Sequence, residues 1–158
     1  MVFADSFEVK KLRDAPAGPM LLGEGNKTTP VIGIANEDGT LNKLLFLERN
    51  ADQKMDVTIH SAANFENYPV IVYPSCKLKL GEIKCDYSGR RNTGELVFSD
   101  TTDPVIKFRS GYNAGWLDMT TYRIKTGFDE GDRHYFCSDW GYVIDSGHEW
   151  EFILRVTQ

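Results

Sequence analysis

The chain has little of what marks the more specialised protein classes. Its 158 residues hold only three cysteines, Cys76, Cys85 and Cys137. So few, and an odd number, argue against a disulfide-stapled scaffold. No apolar run approaches the roughly 18 residues that suggest a membrane span. The longest candidate, KLLFLE at 43–48, has the length of one strand. Basic blocks are missing too: Arg90-Arg91 is the nearest, and the formal net charge is −5. Such a surface repels phosphate backbones, so nucleic acid is not an expected partner. The N-terminus, MVFADSFEVKK, has no basic start ahead of an apolar stretch. The expected location is therefore the cytoplasm, or release without a classical signal peptide, with the sequon Asn26-Lys27-Thr28 unused.

Helical periodicity is also wanting. The one candidate, TLNKLLFLERNADQK at 40–54, has apolar residues at 44, 45 and 47 and no apolar turn after them. Extended segments are abundant instead. In MDVTIHS, Met55, Val57 and Ile59 share one face and Asp56, Thr58 and His60 the other. EWEFILRV alternates in the same way through Trp150, Phe152, Leu154 and Val156. Between such segments lie NEDGT, YSGRRNTG, RSGYNAG, FDEGD and DSGH, whose glycines suit tight hairpins. These signals predict about twelve or thirteen short strands and an all-β chain. With 41% apolar and 26% charged residues, the expected unit is one folded domain over 1–158.

One strand is written four times, as TPVIGI, YPVIVY, DPVIKF and GYVIDS. The valines Val31, Val70, Val105 and Val143 lie 39, 35 and 38 residues apart. A second segment precedes each copy (PMLLGEG, MDVTIHS, GELVFSD, RHYFCSD). A third precedes that (FEVKKL, LLFLERN, GEIKCDY, TYRIKTG). A unit unable to bury its own apolar face needs copies of itself, so the repeat points to architecture. Two arrangements suit it. A β-trefoil of three four-stranded units is favoured, with residues 7–50 and 121–156 as clear units. The alternative is a Greek-key β-sandwich. YRIKTGFDEGDRHYFCSDWGYVIDSG, at 122–147, is similar to a βγ-crystallin motif, with an aromatic strand, a Gly turn and a Ser-bearing second strand. The family's paired-acid calcium signature is absent.

In CKLKLGEIKC a two-residue turn at Leu80-Gly81 would set Lys79 against Glu82 and Cys76 against Cys85. Opposed Cβ atoms lie about 4.5–5.5 Å apart, a poor fit to a disulfide. The pair reads as a bridge or as two small buried residues.

Catalytic signals are scarce. His60, His134 and His148 stand in no HExxH, CxxC or GxSxG context. His60 and Ser61 are adjacent in a strand and so point to opposite faces. The carboxylates Asp129, Glu130, Asp132, Asp139, Asp145, Glu149 and Glu151 crowd the final third. Their DEGD core reads as a solvated hairpin tip. The expectation is a non-catalytic binding protein with no cofactor and no metal.

Two binding sites suggest themselves. Trp116 and Trp140 stand in the Gly-flanked stretches SGYNAGW and SDWGY. A sugar site pairs a flat aromatic with amide or carboxylate groups that fix the hydroxyls. Tyr112, Asn113 and Trp116 offer one such set, and Asp139, Trp140 and Tyr142 another, so a glycan or glycoprotein is the expected partner. A protease is the alternative. RDAPAGPM, with prolines that restrict φ, could present residues 13–19 as a rigid loop. Arg90 and Arg91 could bait a trypsin-like enzyme from a tip spanning 88–94.

Overall fold

The computed structural model describes residues 7–86, 90–129, 133–145 and 150–157. Glu130, Asp132, His148 and Glu149 lie outside them, as does the side chain of Trp150. In chain order the described strands are β1 (Glu8–Lys11), β2 (Gly18–Glu24), β3 (Lys27–Ala35), β4 (Leu41–Arg49), β5 (Met55–Ser61) and β6 (Pro69–Val72). There follow β7 (Lys77–Leu80), β8 (Ile83–Asp86), β9 (Leu96–Phe98), β10 (Val105–Ser110) and β11 (Asn113–Asp118). The last four are β12 (Ile124–Lys125), β13 (His134–Cys137), β14 (Asp139–Asp145) and β15 (Trp150–Thr157). Two short 3₁₀ turns, Leu12–Asp14 and Ala62–Phe65, are the helical elements among the described residues. The chain is all-β.

The strands form two open sheets. The larger runs β1-β6-β2-β3-β4-β5-β10-β9-β13-β8, with β11 and β12 branching from β10, and the smaller runs β15-β14-β7. This order does not establish trefoil or Greek-key topology. Strands β2 to β5 form an antiparallel meander, and β6 returns to the outer side of β2, Val72 beside Met20. The meander meets the second half of the sheet through a parallel bridge of β5 to β10, Thr58 beside Arg109.

Alternation along each strand sorts the core into layers. On β4, Leu45 and Leu47 face one way, joining Ile32, Val57, Ile106, Leu117, Trp140, Leu154 and Val156 in the largest cluster. That cluster fills the space between the two sheets. Leu44 and Phe46 face the other way and meet Leu12, Met20, Leu22, Val31, Val70 and Ala62, so the two 3₁₀ turns cap this face. At the other end of the sheet, Val97, Val105 and Trp116 form a third cluster with Phe128 and Phe136.

The repeated Val-Ile word acquires a physical meaning here. Val31, Val70, Val105 and Val143 are all buried, as are Ile32, Ile106 and Ile144. Each copy lies on a strand paired on both sides: β3, β6, β10 and β14. A strand covered on both faces needs consecutive apolar residues, and burying each is worth about 1.5–3 kcal/mol. The pairing itself does not repeat. The second segment pairs with its Val-Ile strand as β2–β3 and β9–β10, whereas in the second copy it pairs with the third segment, as β4–β5. The sequence repeat is thus one of strand type.

Two local expectations need correcting. No hairpin forms at Leu80-Gly81. β7 pairs with β14 in the small sheet, and β8 pairs with β13 in the large one. Cys76 and Cys85 are therefore separated by sheet, and all three cysteines are free. The Gly-flanked stretches around Trp116 and Trp140 are strands, β11 and β14. Their glycines make room inside the sheets. A Cβ on Gly115 would sit 2.5 Å from Cζ of Phe108, and one on Gly141 would sit 2.2 Å from the Leu154 carbonyl oxygen.

The nature of the blocking atom sets the cost of substitution. Gly141→Ala collides with backbone that holds β14 to β15, and is expected to destabilise by about 3 kcal/mol. Gly115→Ala meets a ring edge that can tilt, and should cost about half as much. Urea denaturation of the two variants checks the order.

Candidate functional site

Neither of the two three-residue sets expected to bind sugar comes together as one exposed surface, because each has its tryptophan buried. Trp140 is wholly buried, and its Nε1 donates to the Gly94 carbonyl at 2.8 Å. Tyr142 is buried as well, its hydroxyl 3.2 Å from that of Tyr122. Burial pushes both phenols above their ordinary pKa, and for Tyr142 the effect is large. Trp116 is buried at 8% exposure under the Phe128 ring, centroids 4.4 Å apart. As packed, these three rings present little or no face to a ligand. Asp139 is partly exposed, and its carboxylate accepts from Nε and Nη2 of Arg155 at 3.0 and 2.8 Å. The guanidinium hydrogen bond holds Asp139 below the usual carboxylate range. Tyr112 and Asn113 remain in solvent, Tyr112 fully, at the tip of the β10–β11 hairpin beside Gly111 at φ +61°.

The inhibitor loops are also drawn inward. Arg91 is buried with Glu95, Nη1 to Oε2 at 3.4 Å, and its guanidinium lies 3.7 Å from the Phe136 ring centroid. Glu95 accepts the Asn92 backbone N–H at 2.8 Å. Arg91 is therefore a packed strut rather than bait, while Arg90 is exposed and Ser88 and Gly89 lie outside the described residues. Within 13–19, Ala15, Gly18 and Pro19 are buried, and Gly18 and Pro19 belong to β2.

A different set of residues does converge. The β9–β10 loop, the segment after β12 and the start of β13 enclose a groove of about 620 Å³. Ser99, Thr101, Thr102 and Thr126 supply hydroxyls to its wall. The loop is braced: Ser99 N–H donates to the Thr102 carbonyl at 3.1 Å, and Thr101 N–H donates to Ser99 Oγ at 3.3 Å. Phe128 and Tyr135 line the groove with half-buried rings. Each is backed by another aromatic, Phe128 by Trp116 and Tyr135 by Phe98, the latter pair stacked at 5.6 Å. His134, 1% exposed, also lines it, its ring 6.5 Å from that of Phe128. Two carboxylates, Asp100 and Asp129, are matched by two cations, Lys125 and Arg133.

Sequence reasoning passed over this groove because Ser99 and Thr126 stood in what read as strand segments, GELVFSD and TYRIKTG, with Thr101 and Thr102 in the short link after the first. Its one legible sign was the density of Ser, Thr and Asp in FSDTTD beside the aromatic in TGFDE. Trp116, expected to face a ligand, stands behind the Phe128 ring that lines the groove.

Among the described residues, no group of three or more His, Cys, Asp or Glu is placed to hold a metal ion. Likewise no helix there is long and apolar enough to cross a membrane. Comparison with family models, curated proteins and solved structures finds no match.

Two outcomes are expected. Glu95→Ala removes the carboxylate paired with a buried guanidinium and should cost about 3 kcal/mol in urea denaturation. Asp139 has a lowered pKa in the folded state, so its contribution is present above the unfolded pKa and disappears as pH falls through the folded one. The melting temperatures of the wild type and Asp139→Asn should therefore differ slightly at neutral pH. They should converge in acid, as a pH series of thermal melts would record.

Proposed function

We propose that the protein is a non-catalytic binding protein whose ligand is a neutral glycan seated in the groove between the β9–β10 loop, β12 and β13. The observation that carries this reading is the groove's lining. Braced hydroxyls stand beside two aromatic rings that are themselves held from behind. A sugar has an apolar C–H face and a hydroxyl rim, and these two kinds of surface are its complements. Bracing lowers the ordering cost of binding.

Charge narrows the ligand class. The groove's two carboxylates offset its two cations, and the whole chain carries −5. Neither feature attracts sulfated, phosphorylated or sialylated chains. Protease inhibition draws less support, because Arg91 and part of the 13–19 segment are packed inside. For the architecture, the return of β6 beside β2 and the packing of the small sheet over β3–β5 favour a Greek-key sandwich over a trefoil.

The test is a glycan array carrying neutral and anionic saccharides, followed by titration calorimetry. Neutral glycans should bind and compete with free sugar. Thr101→Ala and Thr126→Ala should each weaken binding about two- to tenfold, the worth of one hydrogen bond, with unchanged melting temperature. Trp140→Ala should lower the melting temperature sharply, since it empties a core position at a cost of about 3–5 kcal/mol. A silent array on folded protein, or affinity indifferent to both threonines, would overturn the assignment.

A further inference from the structure

The sequon Asn26-Lys27-Thr28 lies at the β2–β3 hairpin, far in sequence from the groove. Glu24 and Lys27 are the last paired residues, so Gly25 and Asn26 form a two-residue turn. Gly25 has φ +62° while Asn26 is not among the positive-φ residues, the pattern of a type II′ turn. Beyond its own chain neighbours, no atom lies within 4 Å of a Cβ built on Gly25, so the turn opens onto free space at that residue.

Register decides what the sequon presents. Asn26, Lys27 and Thr28 are all exposed, whereas Thr29, one residue on, is 2% exposed. Thr28 pairs with Gly23, Thr29 with Leu22. A slip of one residue would turn the sequon threonine into the core. Lys27 reaches Glu48 at 3.8 Å across the sheet, while Asn26 beside it is exposed. The tripeptide has the required threonine, lacks proline at its centre, and is the one match to that pattern in the chain.

We propose that Asn26 is an acceptor for an N-linked glycan. In the transfer, the Asn26 amide nitrogen forms a bond to C1 of the first sugar of a lipid-pyrophosphate-linked oligosaccharide. The bond between C1 and the pyrophosphate oxygen breaks, and the amide proton is lost as the pyrophosphate departs. The donor and the transferase belong to the eukaryotic secretory compartment, and no redox partner is needed. The attached glycan extends from the turn into solvent and displaces no packed side chain. The proposal departs from the expectation of an unused sequon, which rested on the first residues of the chain alone.

The experiment is secretion of the full chain from a eukaryotic cell behind a cleavable signal, with mass analysis before and after peptide-N-glycosidase. The wild type should carry one oligosaccharide, which the enzyme removes. Asn26→Gln and Thr28→Val should run at the bare mass with unchanged melting temperature. Thr28→Ser should keep the modification, which separates recognition of the hydroxyl from a general change in the hairpin. Wild-type protein that is folded and secreted at the bare mass would sink the proposal. So would a glycan that survives Thr28→Val.

Discussion

A sheet buried on both faces is the constraint on which the rest of this structure depends. Strands β3, β4, β9 and β10 each send neighbouring residues into different apolar clusters. Val31 and Ile32 do so, as do Leu44 and Leu45, Leu96 and Val97, and Val105 and Ile106. Removing either cover would expose half of these side chains. The small sheet covers one face, while the 3₁₀ turns and the Phe128 segment cover the other. Each covering element is short and depends on the large sheet for its own burial.

Close covering demands thin places. Gly141 lets β14 approach β15, and Gly115 lets the Phe108 ring lie across β11. The same closeness draws polar groups inward, where they must be matched. Trp140 reaches the Gly94 carbonyl, and Arg91 is held between Glu95 and Phe136. The segment from Arg91 to Glu95 is therefore a clasp between the sheets rather than a presented loop. The groove forms where covering stops: beyond Phe128 the face is left to loops rich in hydroxyls.

The all-β character was legible in the alternation of MDVTIHS and in the glycine-bearing turns, because local sterics and face parity act within a few residues. The Val-Ile repeat was legible as well, and it marks strands paired on both sides. Its partners were not legible, since pairing in a sheet is non-local and four similar strands can each choose several neighbours. The reading of CKLKLGEIKC failed on this point: its turn chemistry was acceptable, but β14 and β13 compete for its two halves. The tryptophans failed for a related reason. A glycine next to a tryptophan marks either a loop or a close approach, and only the opposing strand tells which.

What the sequence by itself determined is the kind of element at each position and its apolar faces: strands at Val31, Val70, Val105 and Val143, and an asparagine acceptor pattern at 26–28. What only the tertiary structure decided is exposure. Tyr112 stands in solvent while Trp140 is sealed, Arg90 is exposed while Arg91 is packed, and Ser99, Thr101 and Thr126 meet across one groove. Composition and period are properties of neighbours in the chain. Exposure depends on which distant strand arrives to cover a face, and that is set by the packing of the whole.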